Sequence, residues 1–466
     1  MMAILSLATA LGLFMSTVSA HLKVLKMGTT VDGTTLPVRG WNSWGLQAAG
    51  YIEAFDEVHV RAQCDQMYST LQGKYSLCGL DSGWSRDGGD ENGIIQYDEK
   101  KFDLPNFANH IHSKGGLLGV YVVPGPFVSD YNKTIKGTDT KIRDICNHEY
   151  GFVRCALNYD HPDTQNWFNS NAAQFAAWGV DYIKLDFITP GSPEHGDVDL
   201  VADSSREVIG WHKAIQKSGR KITLQVSWKL DRSKKYFDIW RANADSMRVD
   251  QDVNNYANKT PLVKWTDVQR DINNYRDWAV TALSFYDVAR IHPNMDMMFV
   301  ANGPEISGLN EDQRKTIFYH WIGASAELNL GSDLTKMDAF GIALLTHPGL
   351  LSAASFTGRY PMQPRNPSSG GNASKQLQAW ISGPAPSGEL IVVLANYGRD
   401  EGTGGYGTDF TGTQTVTAGW RDLGVKVEGR YRCIDVYSGE NVGLRSGFSA
   451  RLASYQSVMY RCSKGR

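Results

Sequence analysis

A lysine and an aspartate interrupt the apolar segment GVDYIKLDFITPG at residues 179–191. Side chains of a strand alternate between its two faces, so Lys184 and Asp186 would share one face and Ile183 and Leu185 the other. If the segment is a barrel strand, Asp186 lies near its carboxyl end, where barrel enzymes carry catalytic groups. The alternative is a buried ion pair between Lys184 and Asp186 with a purely structural role.

A second segment, SMRVDQDV, repeats this pattern at residues 246–253. Alternation places Arg248, Asp250 and Asp252 on one face of the predicted strand. Aromatic rings beside carboxylates suit sugars, because rings stack on the C–H faces while charged groups bind the hydroxyls. Other predicted strand ends add such groups: Trp44 in RGWNSWG, Asp81 and Trp84 in GLDSGW, and Tyr121 in GVYVVPG.

Two carboxylates are the groups that hydrolysis of a glycosidic bond requires. One attacks the anomeric carbon and the other protonates the leaving oxygen. We predict that Lys184 lowers the pKa of Asp186 and keeps it ionised as the nucleophile, which leaves Asp252 as the acid. Arg248 precedes Asp252 by four residues, and this distance along a strand is too long for direct pairing unless the chain bends.

These groups need a fold that brings many strand ends to one mouth. Between about residues 36 and 350, β-rich segments alternate with helix-like ones, which indicates a (β/α)8 TIM barrel, assigned to residues 21–363. The predicted strands are LPVRGWNS, YSLCGLDS, LLGVYVVP, VDYIKLDF, ITLQVSW, SMRVDQD, MDMMFVAN and ELNLGSD. A linker rich in Pro, Gly, Ser and Asn at 364–375 precedes a predicted antiparallel β-sandwich domain at 376–466.

Features of an exported protein occur at several places in the chain. The first residues have a short apolar centre followed by small residues at positions 18 and 20, which predicts a secretory signal peptide at 1–20 and a secreted, extracellular protein. Sequons at Asn132, Asn258 and Asn372 agree with export. The six cysteines allow several pairings, of which we favour the sequence-local one: Cys64–Cys78, Cys146–Cys155 and Cys433–Cys462.

The composition excludes several classes of partner. With 47 basic and 49 acidic residues, the chain offers no electrostatic reason to expect binding to nucleic acid or to a membrane surface. It contains no Cys-x-x-Cys pair and no Cys/His cluster with metal-ligand spacing, which argues against a metal-dependent hydrolase. A carbohydrate is therefore the partner that the pattern of residues favours.

Seven segments follow one another in the order GWNSW, LDSGW, YIKLDF, SMRVDQDV, HPNMDMMFVAN, ELNLGSDL and LQAWISGPAPSGELIVVLANYG. Together they resemble the motifs of glycoside hydrolase family 27, the α-galactosidase (melibiase) family, over nearly the whole chain after the signal segment. The resemblance implies a retaining α-glycosidase that acts on α-galactoside-like carbohydrates. It also implies that no metal and no organic cofactor is needed.

The resemblance assigns roles to individual residues. Asp186 matches the nucleophile of the family and Asp252 matches its acid/base. Further positions match sugar-binding residues of the family or lie in motifs at the same mouth: Trp44, Asp81, Ser82, Tyr121, Lys184, Ser227, Arg248, Asp296 and Met297.

Several positions depart from the family pattern. Ser82 replaces a second aspartate that holds sugar hydroxyls in many α-galactosidases, and Ser227 replaces a glutamate that faces the 2-position of the sugar. α-N-Acetylgalactosaminidases resemble this chain in the second serine, but they pair it with a small residue where this chain has Leu230. The cysteines that commonly form a disulfide beside the site are also absent, at Phe187 and in the PGPF segment.

The combined prediction is a secreted exo-glycosidase that removes terminal α-galactosyl residues by double displacement. Because a single lost hydrogen bond to a hydroxyl can change which sugar is preferred, β-L-arabinopyranosidase, α-N-acetylgalactosaminidase and α-glucan hydrolase activities stay open. A carbohydrate-binding barrel without turnover is the alternative from another class of function.

Overall fold

The computed structural model describes residues 22–192, 199–259, 261–365, 376–402, 411–425 and 430–465. The predicted signal peptide at 1–20 and the sequon at Asn372 lie outside these ranges. Across these ranges, no single helix is both long and apolar enough to cross a membrane. Two helices bent by 45° relative to each other, Ala339–Thr346 and Pro348–Thr357, meet that requirement only when they are taken together.

Parallel strands form the curled sheet at the centre of the molecule. They are β1 (Arg39–Asn42), β2 (Leu77–Leu80), β3 (Leu117–Val122), β6 (Tyr182–Leu185), β7 (Thr223–Val226), β8 (Ser246–Arg248), β9 (His292–Asn294) and β10 (Leu328–Leu330). Neighbours pair in the order β10-β1-β2-β3-β6-β7-β8-β9. A bridge between Met298 and Leu330 joins the two ends of this series. The predicted (β/α)8 barrel is therefore confirmed.

Helices connect the barrel strands and cover the outside of the sheet. They are α1 (Trp44–Ala48), α2 (Glu57–Thr70), α3 (Leu104–Ser113), α4 (Thr164–Trp178), α5 (Ser205–Ser218), α6 (Lys234–Asn243), α7 (Trp265–Phe285), α8 (Pro304–Ser307), α9 (Glu311–Ala324), α10 (Ala339–Thr346) and α11 (Pro348–Thr357). A hairpin of β4 (Cys146–Tyr150) and β5 (Arg154–Leu157) extends the segment between β3 and α4. Side-chain caps such as Asp56 on α2 fix where individual helices begin.

The alternation predicted for the segment around Lys184 is found in β6. Ile183 and Leu185 are fully buried in the hydrophobic core. On the other face, the Tyr182 hydroxyl donates to Glu327 (2.8 Å), a buried carboxylate that also accepts from Ser246 (2.6 Å). The interior of the barrel is therefore partly polar beneath the mouth.

The seventh strand lies earlier in the chain than predicted. We expected it at MDMMFVAN, residues 295–302, whereas β9 spans His292–Asn294. The ladder ends there because Asp296 has a φ of +59°, which turns the backbone away from its neighbour. Within the predicted segment, Met298 still forms the single bridge to β10.

The carboxyl-terminal part is an antiparallel sandwich, as predicted. Its strands are β11 (Gln363–Arg365), β12 (Leu377–Ser382), β13 (Leu390–Asn396), β14 (Gln414–Gly419), β15 (Tyr431–Asp435), β16 (Asn441–Arg445), β17 (Gly447–Leu452) and β18 (Ser457–Lys464). A sheet of order β11-β12-β13-β18-β15-β16 faces the pair β14-β17, and Trp420 and Phe448 lie in the core between them. Residues 366–375, most of the predicted linker, lie outside the described ranges. The domain boundaries stay a prediction.

The three sequence-local disulfides are confirmed. Cys64–Cys78 joins α2 to β2, Cys146–Cys155 closes the β4–β5 hairpin, and Cys433–Cys462 joins β15 to β18. The sequon asparagines that lie in the described ranges, Asn132 and Asn258, are both exposed.

Candidate active site

Asp186 follows the last residue of β6 and is fixed by the neighbouring backbone. Its N–H donates to the carbonyl of Val122 at the end of β3 (2.9 Å), and its Oδ1 accepts from the N–H of Phe187 (2.9 Å). Phe187 has a φ of +54°, so the chain turns immediately after the carboxylate. Asp186 is buried, with 8% of its surface exposed.

Lys184 forms its ion pair with Asp81 rather than with Asp186. Its Nζ lies 2.8 Å from Oδ2 of Asp81, and both side chains are nearly buried. The same Nζ lies 5.4 Å from the centre of the Tyr121 ring. The structural alternative, a Lys184–Asp186 pair, is therefore wrong, and three predicted sugar-binding residues meet at the ends of β2, β3 and β6.

The pKa of Asp186 is raised, contrary to our prediction. Burial is the largest influence and raises the pKa, while the charge of Lys184 lowers it and the charge of Asp252 raises it again. Lys184 therefore acts in the predicted direction but does not outweigh desolvation. Tyr121 stays neutral, since burial and the charge of Asp186 raise its pKa, and its hydroxyl can donate to that carboxylate.

Asp252 accepts hydrogen bonds from three side chains. Its Oδ1 accepts from Arg248 Nη2 (2.7 Å), and its Oδ2 accepts from the Tyr256 hydroxyl (2.5 Å) and from Trp44 Nε1 (3.2 Å). Burial raises the pKa of this carboxyl, but Arg248, Lys184 and these hydrogen bonds together lower it to about 2. The two candidate carboxyls thus have pKa shifts of opposite sign, and both signs are the reverse of the prediction, in which Asp186 is the ionised group and Asp252 the protonated one.

Arg248 contacts Asp252 because the chain bends after β8. The strand ends at Arg248 itself, so the four-residue separation is not spanned along a strand. The guanidinium also lies 3.1 Å from Asp296, whose Oδ2 accepts from the N–H of Val253 (2.9 Å). Asp296 therefore fixes both Arg248 and the backbone next to Asp252. Asp296 is itself held in place, because its N–H donates to Oδ1 of Asn294 (2.7 Å).

Asp250 does not join this cluster, although the predicted alternation placed it there. Its Oδ2 accepts instead from Arg270 Nε on α7 (2.7 Å). Alternation fails because β8 ends before Asp250, and no strand geometry fixes the face on which later side chains lie. Arg270 also donates to the backbone carbonyl of Asp252 (2.7 Å), so Asp250 supports the site from outside.

The remaining predicted positions, Ser227, Ser82 and Met297, lie in different surroundings. Ser227 is fully buried beside Asp186, and its Oγ makes no hydrogen bond of normal geometry within the described part of the chain. Ser82 donates its N–H to Asp81 Oδ1 (2.9 Å), and its carbonyl accepts from Gln47 (2.8 Å). Met297 is buried in the hydrophobic core.

Tyr256 is the contact of Asp252 that sequence reasoning missed. It lies in VNNYANKT, a polar segment after β8 without periodicity, where no sequence pattern indicated chemistry. The only available signal was its position four residues after Asp252. No group of three or more His, Cys, Asp and Glu residues able to hold a metal ion is found in the ranges that the structure describes.

Comparison with known proteins shows which family this chain resembles. Residues 374–462 match the model of the α-galactosidase C-terminal β-sandwich domain. Alpha-galactosidase 3 of Hypocrea jecorina is 40% identical over 458 residues, which cover 95% of this chain and 73% of that protein.

Solved structures agree at the level of the fold. A family 27 β-L-arabinopyranosidase from Geobacillus stearothermophilus, in complex with arabinose, superposes with a TM-score of 0.75 at 19% identity and covers 93% of this chain and 98% of its own. α-Galactosidase I from Mortierella vinacea gives a TM-score of 0.66 at 15% identity, covering 93% and 98%.

The barrel, the sandwich and the similarity over almost the entire chain agree with the motifs that carry the clustered carboxylates. The protein belongs to glycoside hydrolase family 27, the α-galactosidase family, and is a glycoside hydrolase.

Proposed function

We propose that the protein is a secreted α-galactosidase that removes terminal α-galactosyl residues from oligo- or polysaccharides with retention of configuration. Asp186 is the nucleophile, and Asp252 is the acid/base. The support that carries most weight is the position of these two carboxylates: Asp186 directly follows β6, and Asp252 is held beside Arg248 at the end of β8, close enough for its charge to act on Asp186. Paired carboxylates in different environments are what double displacement at an anomeric carbon requires.

The reaction takes place in two steps. Asp186 attacks the anomeric carbon while Asp252 gives its proton to the leaving oxygen, and the bond between carbon and oxygen breaks to leave a glycosyl ester on Asp186. Asp252 then removes a proton from water, which attacks the same carbon and releases the sugar and the Asp186 carboxylate. The two inversions restore the original configuration.

The low pKa of Asp252 suits the second of these steps, in which it acts as a base. In the first step a bound sugar has to raise that pKa. Exclusion of water around the carboxyl and the negative charge of ionised Asp186 both act in that direction. Once Asp186 is esterified its charge is lost, and the pKa of Asp252 falls again in time for the base role.

Sugar binding is assigned to the groups around these carboxylates. The Lys184–Asp81 pair and the neutral Tyr121 hydroxyl offer both donors and acceptors to sugar hydroxyls. Trp44 contributes an aromatic ring and an indole N–H near Asp252. Secretion is supported by the signal-like segment at 1–20 and by the three disulfides.

Initial-rate assays with 4-nitrophenyl glycosides test the sugar, and proton NMR of the first product tests the stereochemistry. We expect the α-galactoside to give the highest kcat/KM among the α-galactoside, β-L-arabinopyranoside, α-N-acetylgalactosaminide and α-glucoside. The free sugar should appear first as the α-anomer. Initial release of the β-anomer would contradict the retaining mechanism.

β-L-Arabinopyranosidase activity is the second candidate, and Ser82 is the observation that favours it. This sugar resembles galactose without the hydroxymethyl group and so has one hydroxyl fewer to bind. A site that lacks the second carboxylate therefore gives up less binding energy with the arabinopyranoside than with the galactoside. A higher kcat/KM for the arabinopyranoside than for the galactoside would select this function. The α-N-acetylgalactosaminide is less favoured, because Leu230 is a buried, large side chain at the position where α-N-acetylgalactosaminidases have a small residue.

A further inference from the structure

One aromatic side chain beside the site is half-exposed, in contrast to the groups that it contacts. Tyr256 is 52% exposed, whereas the side chain of Asp252 is 14% exposed and that of Arg248 is 2% exposed. Its hydroxyl is 2.5 Å from Oδ2 of Asp252, and its ring lies edge-to-face with Trp44, with 6.4 Å between ring centres. Tyr256 therefore joins the buried acid to the surface of the protein.

Tyr256 lies in a loop, but backbone hydrogen bonds fix the chain both before and after this residue. Asn255 N donates to the carbonyl of Leu262 (2.7 Å), and Asn254 forms a bridge with Val263. On the other side, Lys259 N donates to the carbonyl of Ala49, which directly follows α1 (2.8 Å). The exposed ring thus has a fixed location, which is a requirement for a binding surface.

The chemistry of the acid determines what lies next to this ring. An acid that protonates the glycosidic oxygen must lie within hydrogen-bond reach of it, so the leaving group occupies the side of the site where Asp252 stands. The Tyr256 hydroxyl contacts the same carboxylate, and its ring extends from there toward solvent. An exposed aromatic ring at this place can stack on the C–H face of a pyranose.

We propose that Tyr256 forms the subsite for the leaving group and takes a pyranose ring there, so that it determines the preference for sugar over small leaving groups. The proposal rests on the proposed function, because it uses Asp252 as the acid. The hydroxyl and the ring have separate tasks: the hydroxyl positions Asp252, and the ring contacts the sugar that departs.

Two variants and two substrates separate these tasks. Tyr256→Phe removes only the hydroxyl, and Tyr256→Ala removes the ring as well. The substrates share a terminal α-galactosyl group, but one has a hexose as leaving group and the other is α-galactosyl fluoride, which offers no ring to stack on. The full-length protein and both variants are assayed for kcat and KM on each substrate.

Relative to Tyr256→Phe, we expect Tyr256→Ala to lower kcat/KM for the hexose substrate about ten-fold, mainly through KM, which is the effect of one lost aromatic contact. The fluoride should change by less than about two-fold, because its leaving group makes no such contact. Equal losses on both substrates, or no loss on either, would overturn the assignment of Tyr256. Absence of fluoride hydrolysis by the unmodified protein would instead refute the proposed function and the subsite that depends on it.

Discussion

Asp252 is held as a carboxylate by donors on three separate elements, and this has consequences for substrates that differ in their leaving group. Trp44 belongs to α1, Arg248 to β8 and Tyr256 to the following loop. A proton on Asp252 is needed only when the leaving oxygen is strongly basic. The role of this residue can therefore be measured by changing the leaving group alone.

Asp252→Asn should lower kcat/KM about a thousand-fold for a galactoside with a sugar leaving group, but less than about ten-fold for the 2,4-dinitrophenyl galactoside. The comparison uses kcat/KM because this parameter reports only the steps up to departure of the leaving group. Steady-state assays with both substrates provide the measurement. Equal losses on both would exclude Asp252 as the acid.

Asp186→Asn should abolish turnover of every glycoside, whatever its leaving group, since no other group forms the bond to the anomeric carbon. We expect losses of about ten-thousand-fold or more with both substrates. Thermal unfolding of the variant serves as control and should show a folded protein, because the amide keeps the acceptor for the Phe187 N–H. Substantial activity with either substrate would remove Asp186 from the nucleophile role.

At this scale the sequence indicates which residues meet but not how they pair. Lys184, Asp186 and Arg248 lie at strand ends as alternation predicts, whereas Asp252 lies four residues beyond β8 and is indicated by the motif alone. The Lys184–Asp81 pair depends on the distance between different strands, and the raised pKa of Asp186 depends on burial. Neither quantity can be read from neighbours in the chain.

At the scale of elements, helix α5 holds the loop after β3 through one buried carboxylate. Glu207 accepts from Gly125 N (3.0 Å) and from the Tyr159 hydroxyl (2.9 Å). Burial raises its pKa to about 7, and these hydrogen bonds only partly oppose the shift. Folding therefore favours the protonated form of Glu207 over its ionised form.

This carboxylate should make stability depend on pH. Because its pKa is higher in the folded state, its full contribution is present below about pH 4.5 and is lost as the pH rises through 7. The free energy of unfolding should fall by about 2–3 kcal/mol over that interval as a result. Urea unfolding at several pH values should show a flatter dependence for Glu207→Gln than for the unmodified protein, and parallel curves would contradict the prediction.

The disulfide between β15 and β18 gives a second prediction for an element. Cys433 and Cys462 lie directly opposite each other in register and are 29 residues apart in the chain. Replacing both by serine should lower the free energy of unfolding by about 3 kcal/mol, since the unfolded chain loses a constraint. Urea unfolding of the variant and of the unmodified protein without reductant checks this, because the other two disulfides then stay intact in both proteins. An unchanged midpoint would show that the bond adds no stability.

The elements themselves were largely predictable, with one informative exception. Seven of the eight strand segments contain the observed barrel strand, because apolar β-branched runs are typical of buried parallel strands. The segment MDMMFVAN is just as apolar, yet it is mostly unpaired since the backbone turns at Asp296. A single residue with positive φ leaves no signal in an apolar pattern.

At the scale of the molecule, the barrel and the sandwich share a polar contact inside a buried interface. His320 on α9 donates from Nδ1 to the carbonyl of Thr316, so its Nε2 accepts from the Tyr397 hydroxyl (2.7 Å). Burial lowers the pKa of His320 to about 4, which keeps the ring neutral. The same hydroxyl accepts from Trp380 Nε1 on β12 (2.6 Å).

Tyr397→Phe should destabilise the whole protein rather than the sandwich alone. It leaves the buried His320 and Trp380 nitrogens without this partner, at a cost of about 2–4 kcal/mol. Fluorescence and circular dichroism should report one common urea midpoint, shifted downward. Tyr437→Phe is the matched control, because its hydroxyl makes no hydrogen bond among the described residues, and an equal shift in that variant would contradict the assignment.

The overall architecture follows from the order of segments, whereas the interface does not. Alternation of strands and helices followed by β-rich segments predicts a barrel and then a sandwich. His320, Tyr397 and Trp380 lie in different elements, and nothing in their local sequence marks them as partners. Such contacts are set by how two finished domains pack.

Pairing between β1 and β10 also constrains how the protein is made. On the ribosome the first strand emerges early, but its partner at Leu328–Leu330 is translated much later. Until then the nascent chain has an unsatisfied row of peptide groups along β1, which is a template for association with other chains. We therefore expect productive biosynthesis to depend on shielding of this edge, by chaperones or by the growing polypeptide, until the ring of strands closes.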